Sequence, residues 1–202
     1  MLYFVRHGAT DWNDYVNENG ERDPKCQGRA DIPLNERGKK QAMGLSEALK
    51  GVKFDRVICS PLTRTRQTCE IIYKGDKPIE IDPRIIEMDF GQFEGARRSQ
   101  VSFKKLCNIY EDHSGVIMES YENMKNRIYG FMDELSKKPD DNVLVVSHGG
   151  VGCFVLSYFQ GLPKDGNMLR YEVPNAEPMI FDLKKMHKKV ETFESENEGP
   201  SM

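Results

Sequence analysis

The stretch LYFVRHGATDWN at residues 2–13 decides the fold. It begins with four apolar residues, Leu2 to Val5, and then changes abruptly to Arg6, His7 and Gly8. The aromatic and β-branched side chains of the apolar run favour a short buried strand, which the glycine ends. Open α/β sheets bind their ligands in loops at the carboxyl ends of the strands. We therefore predict a ligand site at Arg6 and His7, with an ordinary solvated loop as the alternative.

A second stretch repeats this pattern late in the chain. Residues 143–146 are all Val or Leu, and they lead directly into Ser147, His148 and Gly149. Two apolar strands that both end in His-Gly are far less expected by chance than one. Because an imidazole can act as a nucleophile or carry a proton near neutral pH, the repeat favours a functional pair of histidines.

Two further candidate groups lie between these stretches. Arg64 and Arg66 fall in a predicted helix at 62–73 and differ by two positions, so they face different sides of it. One of them can reach a site while the other points to solvent. Glu87 follows two isoleucines, which indicates partial burial, and a carboxyl group that keeps its proton can act as an acid. The alternatives are two solvated arginines and a loop carboxylate.

The remaining elements are predicted from periodicity and from turn residues. Short apolar runs predict strands at 56–60, 79–81 and 179–183, and helical spacing predicts helices at 35–50, 103–110, 120–135 and 151–160. Ser60 and Pro61 are predicted to cap and begin the helix that ends at 73. The polar residues 14–31 predict a long surface loop, and long ordered loops are often functional.

The composition of the 202 residues limits the class of protein. No linker or repeat interrupts the chain, so we expect one domain at 1–183 followed by a polar tail at 184–202. A net charge of −3 argues against a nucleic-acid partner, and no apolar run is long enough to span a membrane.

The cysteines and histidines narrow the chemistry further. The five cysteines are an odd set without a CxxC pair, which is typical of reduced thiols in a cytoplasmic protein. No cysteine is followed by an arginine at the spacing of the cysteine-dependent phosphatases. No two histidines have the spacing of a metal-binding pair, so no metal site is expected.

Five motifs together resemble the histidine phosphatase superfamily, also called the phosphoglycerate mutase-like family. RHG alone is a weak signal, but five motifs in the family order, over most of the chain, are specific. They are RHGATDWN (6–13), QGRADIPLNERG (27–38), SPLTRTRQT (60–68), EMDFGQFEG (87–95) and SHGG (147–150). The resemblance implies a three-layer α/β fold, in which helices cover both faces of a mixed, mostly parallel central sheet. It places the site at the carboxyl ends of the strands.

The resemblance also implies a role for each matching residue. His7 is the expected nucleophile, which becomes phosphohistidine, and Glu87 is the expected proton donor. Arg6, Arg64 and His148 complete the expected phosphate pocket. The residues expected to hold phosphate or substrate are Thr10, Asn13, Gln27, Gly28 and Gly149. Because two guanidinium groups and an imidazole can meet the charge of a transferring phosphoryl group, no metal or other cofactor is expected.

Three functions remain open at this point. The leading hypothesis is a phosphatase for a small phosphorylated metabolite; the alternatives are a phosphoglycerate mutase and a non-catalytic phospholigand-binding module. The chain departs from the family pattern between Asn13 and Gln27, where it is longer than usual, and at Lys25, where an arginine is common. Both departures concern specificity, and the oligomeric state, monomer or homodimer, stays open.

Overall fold

The central strand of the fold is the Val- and Leu-rich run near residue 145. The computed structural model describes residues 1–185. Its strands are β1 (Leu2–Arg6), β2 (Arg56–Cys59), β3 (Ile79–Ile81), β4 (Val143–Ser147) and β5 (Pro178–Phe181). They form one sheet in the order β3-β2-β4-β1-β5, in which β5 alone is antiparallel to its neighbour. The predicted mixed, mostly parallel sheet is confirmed.

Helices cover both faces of this sheet. Within the described residues they are α1 (Glu36–Ala48), α2 (Thr63–Ile72), α3 (Phe103–Leu106), α4 (Tyr121–Ser136) and α5 (Gly149–Gln160). Side chains of a strand alternate between its two faces. Accordingly, Phe4 packs in one buried cluster with residues of α4 and α5, whereas Val5 packs in another with residues of α1 and α2. The predicted three-layer architecture is confirmed.

The register of β1 and β4 brings the two His-Gly segments together. Arg6 pairs with Ser147, and the next backbone N–H, that of His7, donates to the Ser147 carbonyl at 2.9 Å. All five residues of β4 are buried, and α5 begins directly after His148. Both histidines therefore lie at the same edge of the sheet, where parallel strands end.

The predicted start of the second helix is wrong. The helix begins at Thr63, and the residue at its N-cap is Leu62, whose side chain makes no capping hydrogen bond. Ser60, the predicted cap, is fully buried, and its hydroxyl lies 2.6 Å from Nε2 of His148. The serine therefore contacts a residue at the end of the neighbouring strand β4 and does not cap the helix that follows it.

The predicted helix at 103–110 is also too long. The helix ends at Leu106, and Tyr110 is 65% exposed. The chain leaves the helix because it pairs with a distant segment: the Ile109 N–H donates to the Gly166 carbonyl at 2.9 Å. Long-range backbone bonds replace the next helical turn.

The predicted last strand runs two residues too far. It ends at Phe181, because the Asp182 carboxylate accepts a hydrogen bond from the Lys184 N–H at 3.0 Å and turns the chain. Beyond residue 185 the predicted polar tail lies outside the described residues. Across residues 1–185, no helix has the length and apolar character needed to cross a membrane.

Candidate active site

His7 follows β1 and is buried, with 3% of its surface exposed. Its Nδ1 lies 2.7 Å from the Gly8 carbonyl oxygen. Since a carbonyl oxygen only accepts, Nδ1 carries the ring proton and donates it. Burial lowers the pKa of His7 well below its usual value, and the positive charges of Arg64 and Arg6 lower it further. The imidazole is therefore neutral, with its lone pair on Nε2.

Arg6 and Arg64 bring two guanidinium groups to this histidine. Arg6 donates to the Val173 carbonyl at 2.6 Å, and Arg64 donates to the carbonyls of Ala30 and Gly28 at 2.8 and 2.7 Å. Burial lowers the pKa of both groups. The pKa of Arg64 falls only to about 10, so this guanidinium stays charged at neutral pH.

The neighbouring arginine of α2 behaves differently. Arg64 is 0% exposed, whereas the side chain of Arg66 is exposed to solvent. The predicted division between one inward and one outward arginine is confirmed.

His148 stands beside His7, with a distance of 5.3 Å between the two ring centroids. Its Nε2 is engaged by the Ser60 hydroxyl, and its Nδ1 has no partner among the described residues. Burial lowers the pKa of His148 well below its usual value, and the charge of Arg64 adds to that effect. The second imidazole is thus also neutral, but it is held through the opposite nitrogen.

Glu87 is held at the start of α5. One carboxylate oxygen accepts from the Met88 N–H at 2.9 Å, and the other accepts from the Gly150 N–H at 3.0 Å. A side chain at position 150 would bring its Cβ within 2.5 Å of the carboxylate and would displace it from this position. At the preceding position, a Cβ on Gly149 would lie 3.2 Å from the guanidinium carbon of Arg6. The two glycines leave room for the charged groups.

A cavity of about 90 Å³ lies beside His7, Arg6 and Glu87. Six of the ten predicted site residues line it: Arg6, His7, Asn13, Gln27, Glu87 and Gly149. The other four, Thr10, Gly28, Arg64 and His148, do not line it. The Thr10 hydroxyl donates to Oε1 of Gln27 at 2.9 Å, and Gly28 accepts the bond from Arg64 described above. These two residues therefore hold side chains that belong to the predicted site.

Unpartnered buried nitrogens are concentrated at this place. Within residues 1–185, five buried side-chain nitrogens lack a hydrogen-bond partner: Nε of Arg6, Arg64 and Arg98, Nε2 of Gln27 and Nδ1 of His148. An unpaired buried polar group is costly, so each one calls for an explanation. Four of the five belong to residues that the sequence had singled out for phosphate. The set matches what an oxyanion would need.

The fifth residue, Arg98, was missed in the sequence analysis. Its guanidinium lies 4.1 Å from the centre of the Phe103 ring and borders the cavity. The segment around Arg98 has no periodicity that would have predicted its position. The available signal was the pair Arg97 and Arg98, which follows the motif at 87–95 after one residue. Its position depends on the long loop after Asn13, because the Arg98 N–H donates to the Pro24 carbonyl at 2.9 Å.

The same loop holds the residue that follows Arg98. Asp23 accepts from the N–H and the hydroxyl of Ser99 at 3.1 and 2.5 Å. A backbone bridge between Lys25 and Arg97 adds to this contact. The loop between Asn13 and Gln27 therefore packs against the rim of the site.

The sequence profile of the histidine phosphatase superfamily (branch 1) matches residues 2–196. This chain belongs to the histidine phosphatase superfamily. The resemblance drawn from the five motifs is confirmed.

Known members of the superfamily carry two kinds of name. The Bacillus subtilis protein named uncharacterized phosphatase PhoE is 34% identical over 160 residues, 78% of this chain and 76% of that protein. The Cronobacter sakazakii protein named probable phosphoglycerate mutase GpmB is 35% identical over 172 residues, 81% of this chain and 76% of that protein. A crystal structure of a putative alpha-ribazole-5'-P phosphatase from Escherichia coli has a TM-score of 0.69 and 30% identity, covering 88% of this chain and 87% of that chain.

Proposed function

We propose that this protein hydrolyses small phosphomonoesters through a phosphohistidine formed on Nε2 of His7. The observation that carries the proposal is a neutral imidazole, fixed through Nδ1 by the Gly8 carbonyl, among buried nitrogens that lack partners. A nucleophile needs a free lone pair, and a transferring phosphoryl group needs donors for its three equatorial oxygens. The fixed His7 ring leaves a free lone pair, and the unpartnered nitrogens are candidate donors for the oxygens, which supports the proposal.

In the first step, the Nε2 lone pair of His7 forms a bond to phosphorus, and the bond from phosphorus to the leaving oxygen breaks. The leaving oxygen takes a proton from Glu87, which enters the step protonated and leaves it as a carboxylate. Arg6 and Arg64 stabilise the charge on the equatorial oxygens through their Nε donors. In this scheme the arginines supply the positive charge that a metal ion supplies elsewhere.

In the second step, a water molecule attacks phosphorus and returns a proton to the Glu87 carboxylate. The bond between phosphorus and Nε2 breaks, and inorganic phosphate leaves with the oxygen of the water. His7 regains its lone pair, and Glu87 is again protonated. The cycle consumes one water and one phosphomonoester and uses no cofactor.

A mutase is the second candidate, because the relative GpmB bears that name at 35% identity. A mutase must hold a bisphosphate intermediate and keep water away from it, which calls for an enclosing segment. The chain between Glu87 and His148 includes α3, α4 and β4, and its residues before α4 line the same cavity as His7, so its length does not decide between the two functions. The relative PhoE, at 34% identity, is named a phosphatase. We therefore favour the phosphatase, whose phosphohistidine must be reached by water.

The experiment that separates these functions is product analysis with purified protein. With 3-phosphoglycerate plus 2,3-bisphosphoglycerate, we expect slow release of inorganic phosphate and no accumulation of 2-phosphoglycerate. Rapid formation of 2-phosphoglycerate with little free phosphate would overturn the phosphatase in favour of the mutase. Absence of turnover with p-nitrophenyl phosphate, in protein that still binds vanadate, would indicate the non-catalytic phospholigand-binding module.

Activity that is lost in EDTA and restored by a divalent ion would contradict the metal-independent scheme.

We also propose that the protein acts in the cytoplasm as one catalytic domain at 1–183. The five cysteines are all buried and free, as is usual in a reducing compartment. Both buried clusters pack against the same sheet, which supports a single domain. Measurement of the native mass decides between monomer and homodimer.

A further inference from the structure

The active-site cavity has two unlike walls. One carries the polar groups at the ends of β1 and β4. The other is apolar and is lined chiefly by Phe90, Phe103, Tyr121, Met124, Phe154 and Met168. These six residues come from separate segments of the chain, so the wall is a product of the tertiary fold. None of these six residues has a role in the phosphoryl transfer proposed above.

The polar atoms of the apolar wall already have partners. The Tyr121 hydroxyl donates to the Leu106 carbonyl, and the Cys153 thiol lies 3.4 Å from the Tyr171 carbonyl oxygen. Cys107, the other thiol at the cavity, is a weak donor, and burial raises its pKa to about 12. A substrate hydroxyl placed here would lose its bonds to water without a strong replacement, which is costly.

The position of Glu87 decides on which side of the phosphate the leaving group lies. A more open, polar cleft lies on the other side of Arg6, where Arg22 and Arg37 contribute to its lining. His7 and Glu87 line the cavity and do not line this cleft. Since the leaving oxygen must reach the proton of Glu87, the group attached to that oxygen lies in the cavity.

Charges at the rim give no preference for a charged leaving group. Arg98 and Glu172 each border both the cavity and the polar cleft, and their charges are opposite. The guanidinium of Arg98 also lowers the pKa of Arg6, so it lies near the phosphate end. A carboxylate on the leaving group would meet the negative charge of Glu172 as well as the positive charge of Arg98.

We infer that the substrate is a phosphomonoester of a small apolar alcohol, with a short alkyl chain or a single ring. The inference rests on the proposed function and adds the class of substrate to it. The apolar wall buries part of the organic group, and a cavity of about 90 Å³ that is open at its rim favours a small one. Sugar phosphates and phosphoglycerates are disfavoured because their hydroxyl and carboxylate groups find no partners on this wall.

The sharpest test compares two substrates of the same shape. In 2-methylbutyl phosphate, two methyl groups stand where glycerol 3-phosphate has two hydroxyls, and both esters release a primary alkoxide. We expect kcat/KM to be higher for 2-methylbutyl phosphate by at least about tenfold, from burial of two methyl groups in place of two unpaired hydroxyls. Benzyl phosphate should also exceed glycerol 3-phosphate, and 3-phosphoglycerate should be the poorest of the four.

Variants of the wall connect this preference to the cavity. Phe103→Ala should reduce the ratio between the two esters, and Leu169→Asn, which adds a polar partner to the lining, should reduce it by raising the activity on glycerol 3-phosphate. Tyr110→Ala is the matched control, because this exposed aromatic residue does not line the cavity. Thermal melting and the inhibition constant of inorganic phosphate verify that each variant is folded with an intact phosphate site.

The outcomes distinguish this inference from the proposed function. A ratio near one, or a preference for glycerol 3-phosphate or 3-phosphoglycerate, overturns the apolar class while leaving hydrolysis in place. Equal ratios in the wild type, Phe103→Ala and Leu169→Asn proteins also overturn it. Failure to hydrolyse any of the four esters, by protein that binds vanadate, contradicts the proposed function itself.

Discussion

His7 and His148 look alike in sequence and are held in opposite ways in the structure. Each follows an apolar strand and precedes a glycine, and the two strands run in parallel and in register. The His7 ring donates from Nδ1 to the carbonyl of the adjacent Gly8. The His148 ring instead contacts the hydroxyl of Ser60 through Nε2 and leaves Nδ1 unpartnered. The His7 ring is fixed by a backbone carbonyl of the next residue, whereas the His148 ring is fixed by a side chain at the end of the neighbouring strand β2.

This difference distinguishes the proposed roles of the two histidines, which the sequence pattern alone does not distinguish. A fixed proton on Nδ1 leaves the Nε2 lone pair of His7 for attack. In the proposed mechanism the end of β4 holds the proton donor, because the helix after His148 begins with backbone N–H groups, one of which donates to Glu87. The predictions below test this separation, from the largest expected effect to the smallest.

The largest effect is expected at His7. His7→Ala should lower the turnover of p-nitrophenyl phosphate by at least about 10⁴-fold, since the covalent step has no other nucleophile. His148→Ala should cost about 10²- to 10³-fold, as expected for loss of one stabilising group. Rapid quenching should trap an alkali-stable phosphoenzyme in the His148 variant and none in the His7 variant. The reverse pattern of trapping would exchange the two roles.

The second prediction concerns the two arginines of α2. Arg64→Met should lower kcat/KM by about 10²- to 10³-fold, because it removes a buried charge that the transition state needs. Arg66→Met is the matched control and should stay within about twofold, since its side chain is exposed. Thermal melting separates loss of folding from loss of activity, and Arg64→Lys restores the charge without the fork of donors. Similar losses at both positions would contradict the assignment.

The sequence predicted the strands and the paired histidines because apolar runs and their abrupt ends are local signals. It placed the start of α2 wrongly because the real partner of Ser60 is His148, far along the chain. It missed Arg98 for the same reason, since a carbonyl of the loop before Gln27 holds that segment. The apolar wall of the cavity was also out of reach, because no local pattern joins residues as distant as Phe90 and Phe154.

The third prediction concerns the proton that Glu87 supplies. Glu87→Gln keeps the shape and should slow an alkyl phosphate by about 10²-fold, because general acid catalysis contributes most when the leaving group is a strong base. The same change should slow p-nitrophenyl phosphate much less, since p-nitrophenolate leaves without a proton. The measurement is the ratio of kcat/KM for benzyl phosphate and p-nitrophenyl phosphate in both proteins, because kcat/KM reports the first step and excludes the hydrolysis in which Glu87 also acts. Equal losses on the two substrates would contradict the proton-donor role.

A smaller effect is expected at Ser60, the residue that holds His148. Ser60→Ala removes the 2.6 Å contact to Nε2 and should lower kcat by about tenfold, as for loss of one orienting group. Ser60→Thr keeps a hydroxyl and should restore part of the loss. In a His148→Ala background, Ser60→Ala should have almost no further effect. An undiminished effect in that background would show that Ser60 acts independently of His148.

The smallest expected effect is on stability, and it also compares the two imidazoles. The pKa values of His7 and His148 lie well below the value of about 6.5 that holds in an unfolded chain. Above pH 6.5 both states carry neutral rings, so neither histidine makes stability depend on pH. Below pH 6.5 the unfolded chain binds protons that the folded protein does not bind. The stability therefore falls as the pH decreases, by up to about 1.4 kcal/mol per pH unit for each ring.

Urea unfolding of the wild type and of His148→Gln at pH 7.5, 6.5 and 5.5 measures the contribution of one ring. The variant should lose less stability between pH 6.5 and 5.5 than the wild type, by up to about 1.4 kcal/mol, while carboxylates affect both proteins alike. His7→Gln should show a reduction of the same sign, because burial is the main cause of the low pKa at both rings. Identical pH dependences in the three proteins would contradict burial of two neutral imidazoles.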